Sequence, residues 1–149
     1  MAKVKQKLTT IKAALKTLQK GMMLYDKFHD IPVLQDESID DLALALRDSV
    51  IQRFEYCTDL FWKTLKVYLE EVEEINLSVN SPAGIIRAAV EARIITEQQG
   101  QKCLEMIKNR NLTSHIYHQE LADHIADNVP DYYQLMHDIV TSLKAYKEL

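Results

Sequence analysis

Residues 108–118 read Lys-Asn-Arg-Asn-Leu-Thr-Ser-His-Ile-Tyr-His, the densest run of chemically able side chains in this sequence. Within it Arg110 and His115 are separated by four residues. Arginine presents a planar fork of donors matched to phosphate oxygens. Histidine takes or gives a proton near neutral pH. The two types together suit RNA cleavage without a metal. His115 would deprotonate a 2′-hydroxyl or protonate the leaving oxygen, while Arg110 stabilises the charge building on the phosphate. In the plainer alternative, Arg110 pairs with a carboxylate and His115 caps a helix end. Spacing alone favours that alternative, because one Arg-x4-His arises easily by chance.

Other chemistries have less support. The five histidines are His29, His115, His118, His124 and His137. A metal set drawn from His118, His124 and Asp127 matches no standard ligand spacing, so no metal is expected. There is no HExxH, CxxC, P-loop or GxGxxG, and no GxSxG elbow. No cofactor is expected. The Gly-Ser turn and strand-borne paired aspartates of a nucleotidyltransferase are missing too. Asp40-Asp41 sits at an expected helix start instead, so the chain is not itself a transferase.

The elements that must position Arg110 and His115 follow from glycine and proline usage. The 149 residues hold 3 Gly and 3 Pro, where average usage would give roughly 18 together. Strand-rich folds need many tight turns, so they are excluded. A hydrophobic content of 47% excludes a disordered chain. The length fits a single domain, residues 1–149.

Helical periodicity runs between the breakers. Val4, Leu8, Ile11, Leu15, Leu18, Met22 and Tyr25 form one stripe on a first helix, with Gly21 a local weak point. Residues 26–38, with Asp30, Pro32 and Asp36, read as a connection, and Ser38 as a cap for the next helix. Residues 39–77 carry the longest stripe: Ile51, Phe54, Thr58, Phe61, Leu65, Tyr68, Val72 and Ile75. Asp48, Arg53, Glu55, Lys63, Lys66 and Glu70 make its outward face. Ser81-Pro82 restarts a short helix. Thr96 with Gln99 is a capping box for one running to about Arg110. After a break at 111–114, helix resumes through Ile125, and Asn128-Val129-Pro130 is expected to start a last one. The fold class is all-α: an up-and-down antiparallel helical bundle of four main helices plus one or two short ones.

Net charge is −4, which does not announce a nucleic-acid binder. Residues 1–20 nevertheless hold six lysines and no acid, while the other 129 residues carry −10. The first helix is therefore either a solvated basic face or a surface that steers an anionic partner. Cys57 and Cys103 are expected as buried small hydrophobes in a reduced, cytoplasmic setting. No run of 18 apolar residues exists, so no membrane span is expected.

Arg110-Asn111-Leu112-Thr113-Ser114-His115-Ile116-Tyr117 resembles the R-N-x-x-x-H-x-Y signature of HEPN domains. Within that superfamily the chain is most similar to the nucleotidyltransferase substrate-binding branch, which includes HepT-like toxins encoded beside minimal nucleotidyltransferases. Arg53-Phe54-Glu55, Trp62-Lys63, Pro82 with the apolar helix after it, and Met106 fall in register, so the resemblance spans roughly residues 5–145. It implies a HEPN-type bundle that forms a homodimer. Arg110 and His115 of both protomers would line a cleft that cuts RNA, with Asn111 as polar support. Tyr117 would be the residue to which the partner transferase attaches AMP, silencing the site by charge and bulk. An older view of the branch makes the chain a non-catalytic subunit that binds the transferase's substrate, a nucleotide. Lys108, with Arg110 and Lys102, would supply basic charge. Glu55 and Asp59, one turn apart on the long helix, would either reach Arg110 or His115 and orient them or form a solvated face. Trp62 would either pack at a helix or dimer seam or touch ligand.

Overall fold

The computed structural model describes residues 2–29 and 37–149. Five α-helices make the bundle: α1 Ala2–His29, α2 Glu37–Glu71, α3 Pro82–Glu91, α4 Glu97–Asn111 and α5 Gln119–Ser142. Short 3-10 turns follow α4 at Leu112–His115 and α5 at Lys144–Glu148. No strand occurs among the described residues. The expected connection through Pro32 and Asp36 and the expected cap on the Ser38 side chain lie outside what is described.

The two long helices run antiparallel. Val4 meets Glu71 through a backbone N–H, and Arg53 Nη1 donates to the Thr17 carbonyl at 2.9 Å. The α1 stripe from Val4 to Tyr25 is buried apart from the half-buried Met22, as the 4-3 spacing requires. It packs on Ile51, Phe54, Phe61 and Leu65 of α2. α5 runs parallel to α2. Arg47 pairs with Asp123, the Phe54 ring stacks on Tyr132 at 5.6 Å, and Tyr68 meets the Lys144 backbone. Parallel second and last long helices are what up-down alternation produces.

Local signals place the short elements. The Ser81 hydroxyl accepts from Gly84 N–H, and Pro82 takes the first helical position. Thr96 and Gln99 close the expected capping box at 3.0 and 2.9 Å. α3 ends in a Schellman motif: Arg93 N–H bonds Val90 and Ile94 N–H bonds Ala89, with Arg93 at φ 61 where glycine usually sits. At Gly100 an added Cβ would collide with Val90 Cγ2, so the close approach of α4 to α3 needs glycine there.

Four expectations change. α2 ends at Glu71, not at residue 77, because Glu74 takes φ 54 and turns the chain out of the helix. Val72 and Ile75 pack from that turn, half-buried. Pro130 does not start a helix; it lies within α5. It removes one backbone donor, but Ala122, Ile125, Ala126, Val129, Tyr132 and Met136 form a buried stripe on both sides of it, and Pro130 itself faces solvent. That packing carries the helix through. Arg53 is not simply outward. It lies over Gly21, whose added Cβ would meet Arg53 Nη1 at 3.0 Å. Gly21 is thus a close-approach position rather than a weak point.

Candidate functional site

Arg110 lies in the last turn of α4, where the helix dipole favours its positive charge. From there it reaches α2. Glu55 and Asp59 are one turn apart on that helix and so share a face. Arg110 Nε and Nη2 donate to Asp59 Oδ1 and Oδ2, both at 3.0 Å, a bidentate pair. Arg110 Nη1 lies 3.7 Å from Glu55 Oε2 and donates to Thr113 Oγ1 at 3.3 Å. The Arg110 pKa rises, first through the Asp59 hydrogen bonds, against a lowering by desolvation and with both carboxylates adding. Of five guanidinium N–H groups, three are engaged in these bonds. The side chain is 26% exposed.

Thr113 locks this corner. It is buried, and its hydroxyl lies 2.5 Å from Glu55 Oε2 and 2.7 Å from the Arg110 carbonyl, sharing one proton between them. The 3-10 turn Leu112–His115 is therefore tied to both α4 and α2. Beside it Asn109 Nδ2 donates to the Tyr132 hydroxyl, fixing α4 on α5. Burial, with Glu105 nearby, pushes the Tyr132 phenol up to about 12.

His115 closes the same turn and is exposed. Its Nδ1 lies 3.3 Å from the Tyr117 hydroxyl, with the rings edge-on at 5.9 Å. The ring tautomer decides which of the two donates. Tyr117 is 68% exposed, and its ring also lies 4.4 Å from that of His118. His115 and Tyr117 thus stand together at the surface, just past the α4 end that holds Arg110.

The other expected residues divide. Glu55 and Asp59 reach Arg110, while the His115 ring meets Tyr117. Asn111 is exposed and makes no side-chain cap bond to the 3-10 turn. Lys108 and Lys102 are exposed on α4. Trp62 lies one turn beyond Asp59 on α2, half-buried, with Lys63 Nζ 5.8 Å from its ring centre. No group of three His, Cys, Asp or Glu able to hold a metal occurs among the described residues. Thr113 was not anticipated. Its only sequence signal is a hydroxyl three residues past Arg110, at the distance that returns to a helix-end carbonyl. Arg47 was not anticipated either. It is 3% exposed, and Asp48 and Asp123 hold it at 3.0 Å each.

Comparison with known proteins identifies the family and the fold. The profile of the family described as nucleotidyltransferase substrate binding protein like matches residues 6–145. A solved protein from Thermus thermophilus is 34% identical, with 90% of this chain and 98% of that one covered and a TM-score of 0.72. A Haemophilus influenzae structure, described as revealing the fold of a substrate binding domain of a nucleotidyltransferase, is 20% identical. It covers 92% of this chain and 98% of its own, with a TM-score of 0.73, and shares the fold. None of the curated proteins matches. No helix among the described residues is long and apolar enough to cross a membrane. A profile matched over nearly the whole chain and a relative 34% identical over nine-tenths of it carry one conclusion: the chain belongs to the nucleotidyltransferase substrate binding protein-like family.

Proposed function

We propose that the chain is the HEPN-type subunit of a two-component system, working as a homodimer beside a minimal nucleotidyltransferase. In this reading it is an RNase toxin that AMP transfer to Tyr117 silences. Membership of the family implies association with a nucleotidyltransferase subunit. The observation that carries the rest is the contact of His115 Nδ1 with the Tyr117 hydroxyl, beside the helix end that holds Arg110.

In the cleavage step the 2′-oxygen of RNA attacks the adjacent phosphorus and the bond from phosphorus to the 5′-oxygen breaks. The 2′-hydroxyl proton leaves to one His115, and the departing 5′-oxygen gains a proton from the His115 of the second protomer. Arg110 offers its two remaining N–H groups to the phosphorane oxygens. Silencing uses the same neighbours. The Tyr117 hydroxyl gives its proton to the neighbouring His115 Nδ1, its oxygen bonds the α-phosphorus of ATP on the partner transferase, and pyrophosphate leaves. The new phosphodiester adds a negative charge and a nucleoside against His115, where it repels and blocks the RNA backbone.

A second reading has its own observation. Asp59 already holds the Nε–Nη2 edge of Arg110, the edge best shaped for bidentate phosphate recognition. A fork so engaged suits a structural or nucleotide-presenting role, in which the chain binds substrate for the transferase and performs no chemistry.

Expression without the partner separates the two. Growth arrest that His115→Ala relieves supports the RNase. Arrest unchanged by His115→Ala, or no arrest at all, removes the catalytic role and leaves the substrate-binding subunit.

A further inference from the structure

Two of the lysines at the start of α1 border a groove. Lys3 and Lys7 face Lys63 and Lys66 of α2 across a groove of about 430 Å³, and Trp62 forms part of its wall. Glu70 is the one carboxylate in its lining, and Glu71 lies at its edge, where it accepts from Val4 N–H. In a chain of net charge −4 this is a concentrated positive strip. The parts are held in place. Lys7, Lys66 and Trp62 are half-buried, and Lys66 Nζ donates to Asn80 Oδ1 at 2.9 Å. Such stems lie along apolar surface while their charges reach the opening.

Helix stability does not explain the pattern. The first turn of α1 carries Lys3 and Lys5 and no acid, against the positive end of its dipole. A local rule broken in this way is expected where function uses the residues.

We propose that this groove binds a single-stranded RNA segment and leads it toward the Arg110–His115 site; the choice of ligand rests on the RNA reading of that site. Trp62 offers an indole on which an unpaired base stacks, and the lysines pair with its phosphates. Lys3 and Lys7 are about 6 Å apart along their helix, and Lys63 and Lys66 about 4.5 Å apart along theirs, so ammonium groups line both walls. An acidic protein would use the lysines and leave the indole without a role. A duplex keeps its bases stacked inside and could not use the indole. Glu55, Asp59 and Trp62 follow one another at i, i+4, i+7 on α2, so Trp62 stands on the same helix face as the two carboxylates that hold Arg110.

Trp62 is the single tryptophan, and its fluorescence reports on the groove directly. The probe is a 12-nucleotide 2′-O-methyl oligouridylate, which binds as a single strand and lacks the hydroxyl that cleavage needs. With the full chain, titration is expected to quench the fluorescence. Four phosphate contacts would weaken binding about 50-fold between 50 and 200 mM salt. Lys63→Gln with Lys66→Gln, its fold checked by circular dichroism, is expected to weaken binding and flatten the salt slope by about 1.4. Absence of quenching overturns the proposal. So does equal quenching by a duplex, or a double variant that loses the transferase subunit but binds the oligonucleotide as before. Cleavage of ordinary RNA without quenching removes the groove and leaves the RNase reading. Quenching without cleavage does the reverse.

Discussion

Cutting the Arg110–Asp59 pair from either side should give unequal costs. The pair is bidentate at 3.0 Å, with Arg110 26% and Asp59 41% exposed. Exposed pairs couple by about 0.2–1 kcal/mol, and breaking a buried pair costs about 3–5. Partial exposure with good geometry places this coupling at about 1 to 1.5 kcal/mol. Asp59→Ala leaves Arg110 beside Glu55 at 3.7 Å and should cost about 1 kcal/mol. Arg110→Ala leaves Glu55 and Asp59 one turn apart with no cation between them, and it removes a donor to the buried Thr113. It should cost about 2 kcal/mol. For 149 residues the unfolding entropy is about 0.3 kcal/mol per kelvin, so these losses lower Tm by about 3 and 6 °C. Thermal unfolding of both single variants and the double variant, followed by circular dichroism, closes the cycle. A coupling below about 0.3 kcal/mol, or equal costs from the two sides, would refute the geometry on which the site rests.

Two further outcomes are expected. Co-expression with the partner transferase should add AMP mass to Tyr117, and Tyr117→Phe should abolish it; AMP on a different residue would remove the silencing scheme. Burial pushes the Cys57 and Cys103 thiols up to about 12, so the reactive thiolate is scarce at pH 8. Iodoacetamide should therefore label neither in the native protein and both in denaturant. Labelling of the folded chain would contradict that burial.

Much of the bundle was legible because its signals are local. The Val4-to-Tyr25 stripe, the Ser81-Pro82 start and the Thr96–Gln99 box each depend on residues within a turn or two. Pro130 misled for the opposite reason. Its local preference to begin a helix is overridden by Val129, Tyr132 and their neighbours, buried against other helices. Gly21 reads locally as a flaw, but Arg53, 32 residues away, lies across it. At the site, Arg110, His115 and Tyr117 were legible as a motif, and Glu55 and Asp59 as a carboxylate pair on one helix face. Thr113 was not, because its bond to Glu55 spans 58 residues. Nor was Arg47, whose partner Asp123 lies 76 residues on. Helix periodicity identifies which face is buried but not which charged groups meet across helices.

The proposed function stands on RNA cleavage by Arg110 and His115. The most direct measurement incubates the purified chain, free of the transferase, with a single-stranded RNA in the presence of EDTA, and examines the new ends. Cleavage that leaves a 2′,3′-cyclic phosphate is expected, with His115→Ala lowering the rate at least about 100-fold, the scale of a lost general acid or base. Intact RNA, or cleavage at the same rate by His115→Ala, would contradict it.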